Sequence, residues 1–166
     1  RLARTTRVCA YDRAGYGLSD PGPLPRDGAA VARDLDQALR AADIDGPFIV
    51  VGHSPGGLYG RLFAARRPKE IVGLVLVDPT IERPGPSGPG DGLDGVRGRV
   101  RRCLEAAKTH PHPPANDGVW SGCLPRNPDE HAIAVARKPE TWLSQLSELD
   151  SLYGRTSEQV FRIGSI

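Results

Sequence analysis

An α/β fold built on a parallel sheet is what the sequence predicts, and three observations predict it. Two apolar runs, Phe48–Val51 and Val72–Val77, are short, rich in β-branched residues and bounded by turn formers, as strands of a parallel sheet are. Strand and helix patterns alternate from residue 7 to residue 77, the order that right-handed crossovers turn into a parallel sheet. After residue 83 the composition breaks, and only helical patterns follow.

In chain order, residues 7–12 read as a short buried strand with Cys9 as a small core residue. A loop rich in Gly, Pro, Ser and Asp runs from Arg13 to Gly28. Gly28 to Ala42 reads as an amphipathic helix, with Val31, Leu35, Ala38, Leu39 and Ala42 on one stripe. Asp43-Ile44-Asp45-Gly46-Pro47 ends it and turns the chain into the strand at Phe48. Leu58, Leu62 and Ala65 then mark the inner face of a helix that stops before Pro68. Val72 to Val77 is continuous enough to predict a strand covered on both faces.

The stretch from Arg83 to Gly98 is dense in Pro and Gly and reads as a connection. Val96, Val100, Cys103, Leu104 and Ala107 outline the next helix. Asn127 is placed to cap another, with Pro128 first in it, and Pro139 to open a third that turns Trp142, Leu143, Leu146, Leu149 and Leu152 inward. Thr156 and Gln159 have the spacing of a capping box for a short last helix. The chain thus divides at residues 1–83 and 84–166, an α/β part and a helical part.

Composition excludes some functions. With 166 residues and a net charge of +2, the chain gives no electrostatic case for a nucleic-acid partner. Arg97, Arg99, Arg101 and Arg102 are expected on a solvated helix face. No apolar run approaches the ~20 residues of a membrane span. No signal peptide is visible, which says nothing about export in a sequence that opens on Arg1. Cys103 and Cys123 could pair, which would suit an exported protein. No Cys/His spacing fits zinc, and His110-Pro111-His112 is too stiff and isolated to make such a site. No cofactor is called for.

Chemistry concentrates at Gly52-His53-Ser54-Pro55-Gly56, where a strand pattern runs into a helix pattern. A GxSxG in that setting is a sharp strand-to-helix turn that holds a serine hydroxyl clear of the sheet. Both glycines are expected there because strand and helix backbones pass too close for a β-carbon. Residues 48–57, together with Arg7–Asp20 and Ile71–Pro79, resemble the α/β-hydrolase family in order and spacing across residues 7–79. The resemblance implies a partial α/β-hydrolase fold, with residues 84–166 as linker and helical cap.

It also implies a role for each site residue. Ser54 would be the nucleophile, and serine rather than aspartate at that point implies acyl transfer on a small ester, thioester, amide or lactone. A base and an acid should follow it. His53 shares the tight turn and is directed elsewhere, and His110, His112 and His131 lie in the helical part, so the base is expected outside residues 1–166. Asp78 is the one candidate acid, although Asp78-Pro79 more simply ends a strand. Asp12 and Arg13 read as residues that fix their loop. Pro55 departs from the family, because the residue after the serine should lend its N–H to an oxyanion hole and proline has none. That departure leaves a non-catalytic, ligand-binding relative as the alternative. Trp120 and Trp142 are candidate pocket walls, though core positions are the commoner use of tryptophan. The number of subunits is left open.

Overall fold

The computed structural model of the protein describes residues 2–83, 85, 87–110 and 118–164. Among the described residues, six α-helices and two strands follow a 3-10 turn at Leu2–Arg4: α1 (Gly28–Ala41), β1 (Phe48–Ser54), α2 (Gly56–Arg66), β2 (Ile71–Pro79), α3 (Asp94–Thr109), α4 (Glu130–Ala136), α5 (Pro139–Ser151) and α6 (Ser157–Ile163), with a second 3-10 turn at Gly118–Trp120. A π-helical turn, Leu152–Thr156, joins α5 to α6. β1 and β2 pair in parallel, with Val50 opposite Leu74 and Ser54 opposite Pro79. The architecture is thus mixed α/β, a two-stranded parallel sheet with flanking helices.

Helix α2 lies over one face of the sheet, close enough that a β-carbon on Gly60 would stand 3.2 Å from Val50 and 3.3 Å from Leu74. The opposite face carries Ile49, Val51 and Val75 into solvent, with Ile49 67 % exposed. This corrects the expectation of a strand covered on both faces, since Val72, Val75, Leu76 and Val77 of β2 are all exposed. Residues 7–12 are also corrected. They form no strand, and Cys9 is exposed, because neither β1 nor β2 pairs with them. A strand without a neighbour has no ladder to hold it.

Two cores form. The first joins Val31 and Ala32 of α1, Leu58, Leu62 and Phe63 of α2, and Leu152 and Val160 near the C-terminus. The second joins Val100, Cys103 and Ala107 of α3 to Trp120, Ala136 and Trp142. Both indoles sit in this second core and donate, Trp120 Nε1 to the His110 carbonyl at 3.2 Å and Trp142 Nε1 to that of Ala136 at 2.7 Å. Cys103 and Cys123 form a disulfide across it.

Several sequence expectations shift by a turn or a face. The cap of α4 is Asp129, which accepts from Ala132 N at 2.7 Å, rather than Asn127. Leu143 is exposed while Trp142 is buried, so the inner stripe of α5 is rotated from the apolar pattern. Arg97 is buried rather than solvated, held by Asp91 and, at 2.8 Å, by Asp150, whereas Arg99, Arg101 and Arg102 are exposed.

Thr156 and Gln159 make no capping box. Their side chains instead accept from Gly28 N at 2.8 Å and Ala29 N at 2.9 Å, while Asp27 accepts from Ala30 N at 2.9 Å. Three N–H groups at the start of α1, which have no partner within their own helix, are satisfied in this way.

Candidate active site

β1 carries the chain to Ser54, and α2 begins two residues later. Reversing direction in so few residues forces Ser54 into the left-handed region at φ 52°, where a β-carbon crowds the backbone. Gly52 is required by this geometry, because a β-carbon there would overlap the Gly56 carbonyl. Gly56 is not, which corrects the sequence expectation: its β-carbon would meet nothing within 4 Å. The second tight position is Gly57, whose β-carbon would come within 2.7 Å of Pro79 Cβ. The helix approaches β2 one residue later than the motif alone implies.

Ser54 is half-buried, and its Oγ has no hydrogen-bond partner among the described residues. Its carbonyl accepts from Thr80 N at 2.9 Å, which ties the turn to the end of β2. Pro55 is the cap residue of α2 and supplies no side-chain hydrogen bond, while its carbonyl accepts from Leu58 N and Tyr59 N. With no N–H, Pro55 offers nothing to an oxyanion.

Asp78 lies in the register gap between the His53–Val77 and Ser54–Pro79 pairs and is left-handed too, at φ 41°. Its side chain is exposed, as is that of His53. The carboxyl ends of two neighbouring parallel strands therefore bring Ser54, His53 and Asp78 to one edge of the sheet, the edge at which open α/β sheets take their ligands.

The other histidines point elsewhere. His110 Nδ1 pairs with Thr109 Oγ1 at 2.8 Å, and His131 Nε2 lies 3.3 Å from the Leu18 carbonyl. His112 falls outside the described residues. Among the described residues no three His, Cys, Asp or Glu side chains gather as a metal site, and no helix is long and apolar enough to cross a membrane.

Asp12 and Arg13 hold their loop. Asp12 Oδ2 accepts from Leu18 N at 3.2 Å, and its carbonyl accepts from Ser19 Oγ at 2.7 Å. Arg13 Nε donates to both oxygens of Glu148 on α5, at 2.9 and 3.2 Å, and Tyr59 on α2 donates its hydroxyl to Glu148 Oε1 at 3.1 Å. Arg13 also stacks over Tyr16, 4.3 Å from the ring centroid. Burial pushes the Tyr59 phenol well above its usual range and the Tyr16 phenol up to about 12. Desolvation also lifts the Glu148 carboxyl above the ordinary glutamate value, against the opposing pull of Arg13.

Glu148 is where sequence reasoning fell short, and it belongs to a longer strip. Gln145 donates to the Gly15 carbonyl at 2.7 Å, Ser147 accepts from Arg26 N at 2.8 Å, and Ser151 donates to the Arg26 carbonyl at 2.9 Å. The available signal was a polar series, Ser144, Ser147, Glu148 and Ser151, recurring at three and four residues on a helix otherwise read from its leucines.

The sequence model described as the alpha/beta hydrolase fold matches residues 1–100. An uncharacterized protein of Schizosaccharomyces pombe is 44% identical over 77 residues, 46% of this chain and 14% of its own length. An AB hydrolase superfamily protein of Gibberella zeae is 37% identical over 86 residues, 49% of this chain and 27% of its own length. The lipase LipV of Mycobacterium tuberculosis is 31% identical over 150 residues, 81% of this chain and 51% of its own length. The chain therefore spans from about a seventh to about half of the relatives it matches. No solved structure matches. With a parallel β–α–β unit around Ser54 and a family match over residues 1–100, the chain belongs to the α/β-hydrolase fold family.

Proposed function

We propose that the protein is a serine hydrolase acting by acyl transfer, with Ser54 as the nucleophile. The observation that carries this reading is the Ser54 backbone itself, left-handed at φ 52° on a strand-to-helix turn, with its hydroxyl unpartnered among the described residues. Strain of that kind costs about 1–3 kcal/mol, and it persists where a function requires the side chain in that place.

In the reaction, Ser54 Oγ attacks the carbonyl carbon of a small ester, thioester, amide or lactone. Its proton passes to a base, the leaving group departs with a proton, and water releases the acyl group. The base is none of the histidines described above. Asp78, at the same sheet edge, is the candidate acid. Kinship to a lipase over 81% of the chain fits this substrate class.

Pro55 favours a second reading, a hydrolase fold kept as a small-molecule binding protein. Losing one oxyanion donor costs about 10²–10³ in turnover. Intact mass of the natively produced protein, with the segments that carry its base, after exposure to a fluorophosphonate separates the two readings. An adduct that maps to Ser54 and is absent from Ser54→Ala is the expected result. An unmodified mass under conditions that label a control serine esterase would leave only the binding reading.

A further inference from the structure

We propose that Glu148 is a positioning residue for the serine turn: through Tyr59 it seats the first turn of α2, and through Arg13 it locks the 13–20 loop to the same point. This rests on Ser54 being the reactive hydroxyl.

The first turn of α2 needs an outside anchor. Its cap residue, Pro55, makes no side-chain hydrogen bond, and Gly56 brings no side chain to pack. Tyr59 supplies the anchor from both ends. Its N–H donates to the Pro55 carbonyl at 3.2 Å, and its hydroxyl, buried under α5, donates to Glu148 Oε1 at 3.1 Å. A continuous path therefore runs from Glu148 through Tyr59 to Pro55, the residue bonded to Ser54.

Glu148 can hold that post only while its partners stay in place. The residue is 3 % exposed, and it receives Arg13 on both oxygens. The Arg13 guanidinium in turn lies 5.5 Å from the Tyr59 ring centroid and 4.3 Å from that of Tyr16. A buried carboxylate that loses a donor is costly, so the loop, α2 and α5 hold one arrangement together rather than drifting independently.

The test combines amide exchange with Ser54 labelling by a fluorophosphonate on the full chain. Tyr59→Phe keeps the ring and removes the hydroxyl. It should speed exchange of the residue 58 and 59 amides about tenfold, leave α1 amides unchanged, and slow labelling at saturating probe by a similar factor. Glu148→Gln keeps one oxygen to accept from Tyr59 but sets its amide N–H against Arg13, so it should fall between wild type and Glu148→Leu on both readouts.

Unchanged exchange at residues 58 and 59 in Tyr59→Phe overturns the proposal. So does faster exchange throughout α1 and α2 alike, which is the signature of a merely structural role, and so does unchanged labelling beside faster local exchange. If Glu148→Leu does not fold, Tyr59→Phe decides. If wild type takes no label, the nucleophile reading fails, while exchange still decides whether Glu148 seats the turn.

Discussion

Ser54, the last residue of β1, and Asp78, one residue before the end of the neighbouring parallel strand β2, share an unusual backbone state, at φ 52° and 41°. Among the described residues the third left-handed position outside glycine, Asp43 at φ 50°, has an ordinary explanation. It follows the cap of α1, and the Ile44 N–H closes back on the Leu39 carbonyl at 2.9 Å, as left-handed helix ends do. No helix end accounts for Ser54 or Asp78. Ser54 owes it to the turn from β1 into α2 and Asp78 to the register irregularity before the last pair of β2, and serine, unlike aspartate, gains little from visiting that region.

The glycines around Ser54 are not equivalent. Gly52→Ala forces a β-carbon onto the Gly56 carbonyl, and Gly57→Ala forces one onto Pro79, so each should lower the urea midpoint by the equivalent of about 1–3 kcal/mol. Gly56→Ala meets open space and should be neutral or stabilising by up to about 1 kcal/mol. Equal losses at residues 52 and 56 would contradict the geometry.

Pro55→Leu restores an N–H beside Ser54. In the natively produced protein, with its base present, acyl turnover or labelling at Ser54 should rise by about 10²-fold if a missing oxyanion donor limits the site, toward the cost of one such donor. A rate that does not move would show that the limit lies elsewhere.

The start of α1 depends on residues nearly the whole chain away. Thr156→Val and Gln159→Leu should each cost about 1 kcal/mol, the value of a helix cap. Exchange should quicken at Gly28 in the first variant and at Ala29 in the second. Faster exchange confined to α6 would mean that these side chains cap their own helix after all.

Acid should destabilise the fold through two aspartates. The Arg67 guanidinium beside Asp36 and the Arg97 guanidinium beside Asp91 hold both carboxyls below the usual aspartate range. The folded state then binds fewer protons than the unfolded one. That stability is present above about pH 4 and is lost as pH falls through the folded values. Glu148 opposes it: with its folded value raised, its contribution is full below the unfolded value and is lost as pH rises through the folded one. Urea unfolding from pH 6 down to pH 3 should show falling stability, and Arg97→Gln should flatten the slope. An unchanged slope in that variant would remove Asp91 from the account.

The sequence by itself determined the β–α–β unit and the serine turn. Phe48–Val51 and Val72–Val77 are apolar runs of strand length, and the glycines and proline at residues 52–57 break the chain where β1 meets α2. Such signals are local, carried by residues adjacent in the chain. The disulfide partners were legible for a related reason, since few cysteines leave few pairings.

Tertiary structure decided whatever depended on partners far apart in sequence. Residues 7–12 have a strand's composition but no strand beside them, and so remain unpaired. Thr156 and Gln159 have the spacing of a cap and serve another helix. Gly56 matches the motif, yet Gly57 takes the close contact, because the approach of α2 to β2 is set by packing. Arg97 looks like one more surface charge until Asp91 and Asp150 close around it. Glu148, with its raised carboxyl and its hold on Arg13 and Tyr59, acquires its role only when three separate segments fold to one place. Hydrogen bonding and desolvation act over a few ångströms of space, and no pattern along the chain records which distant groups will share them.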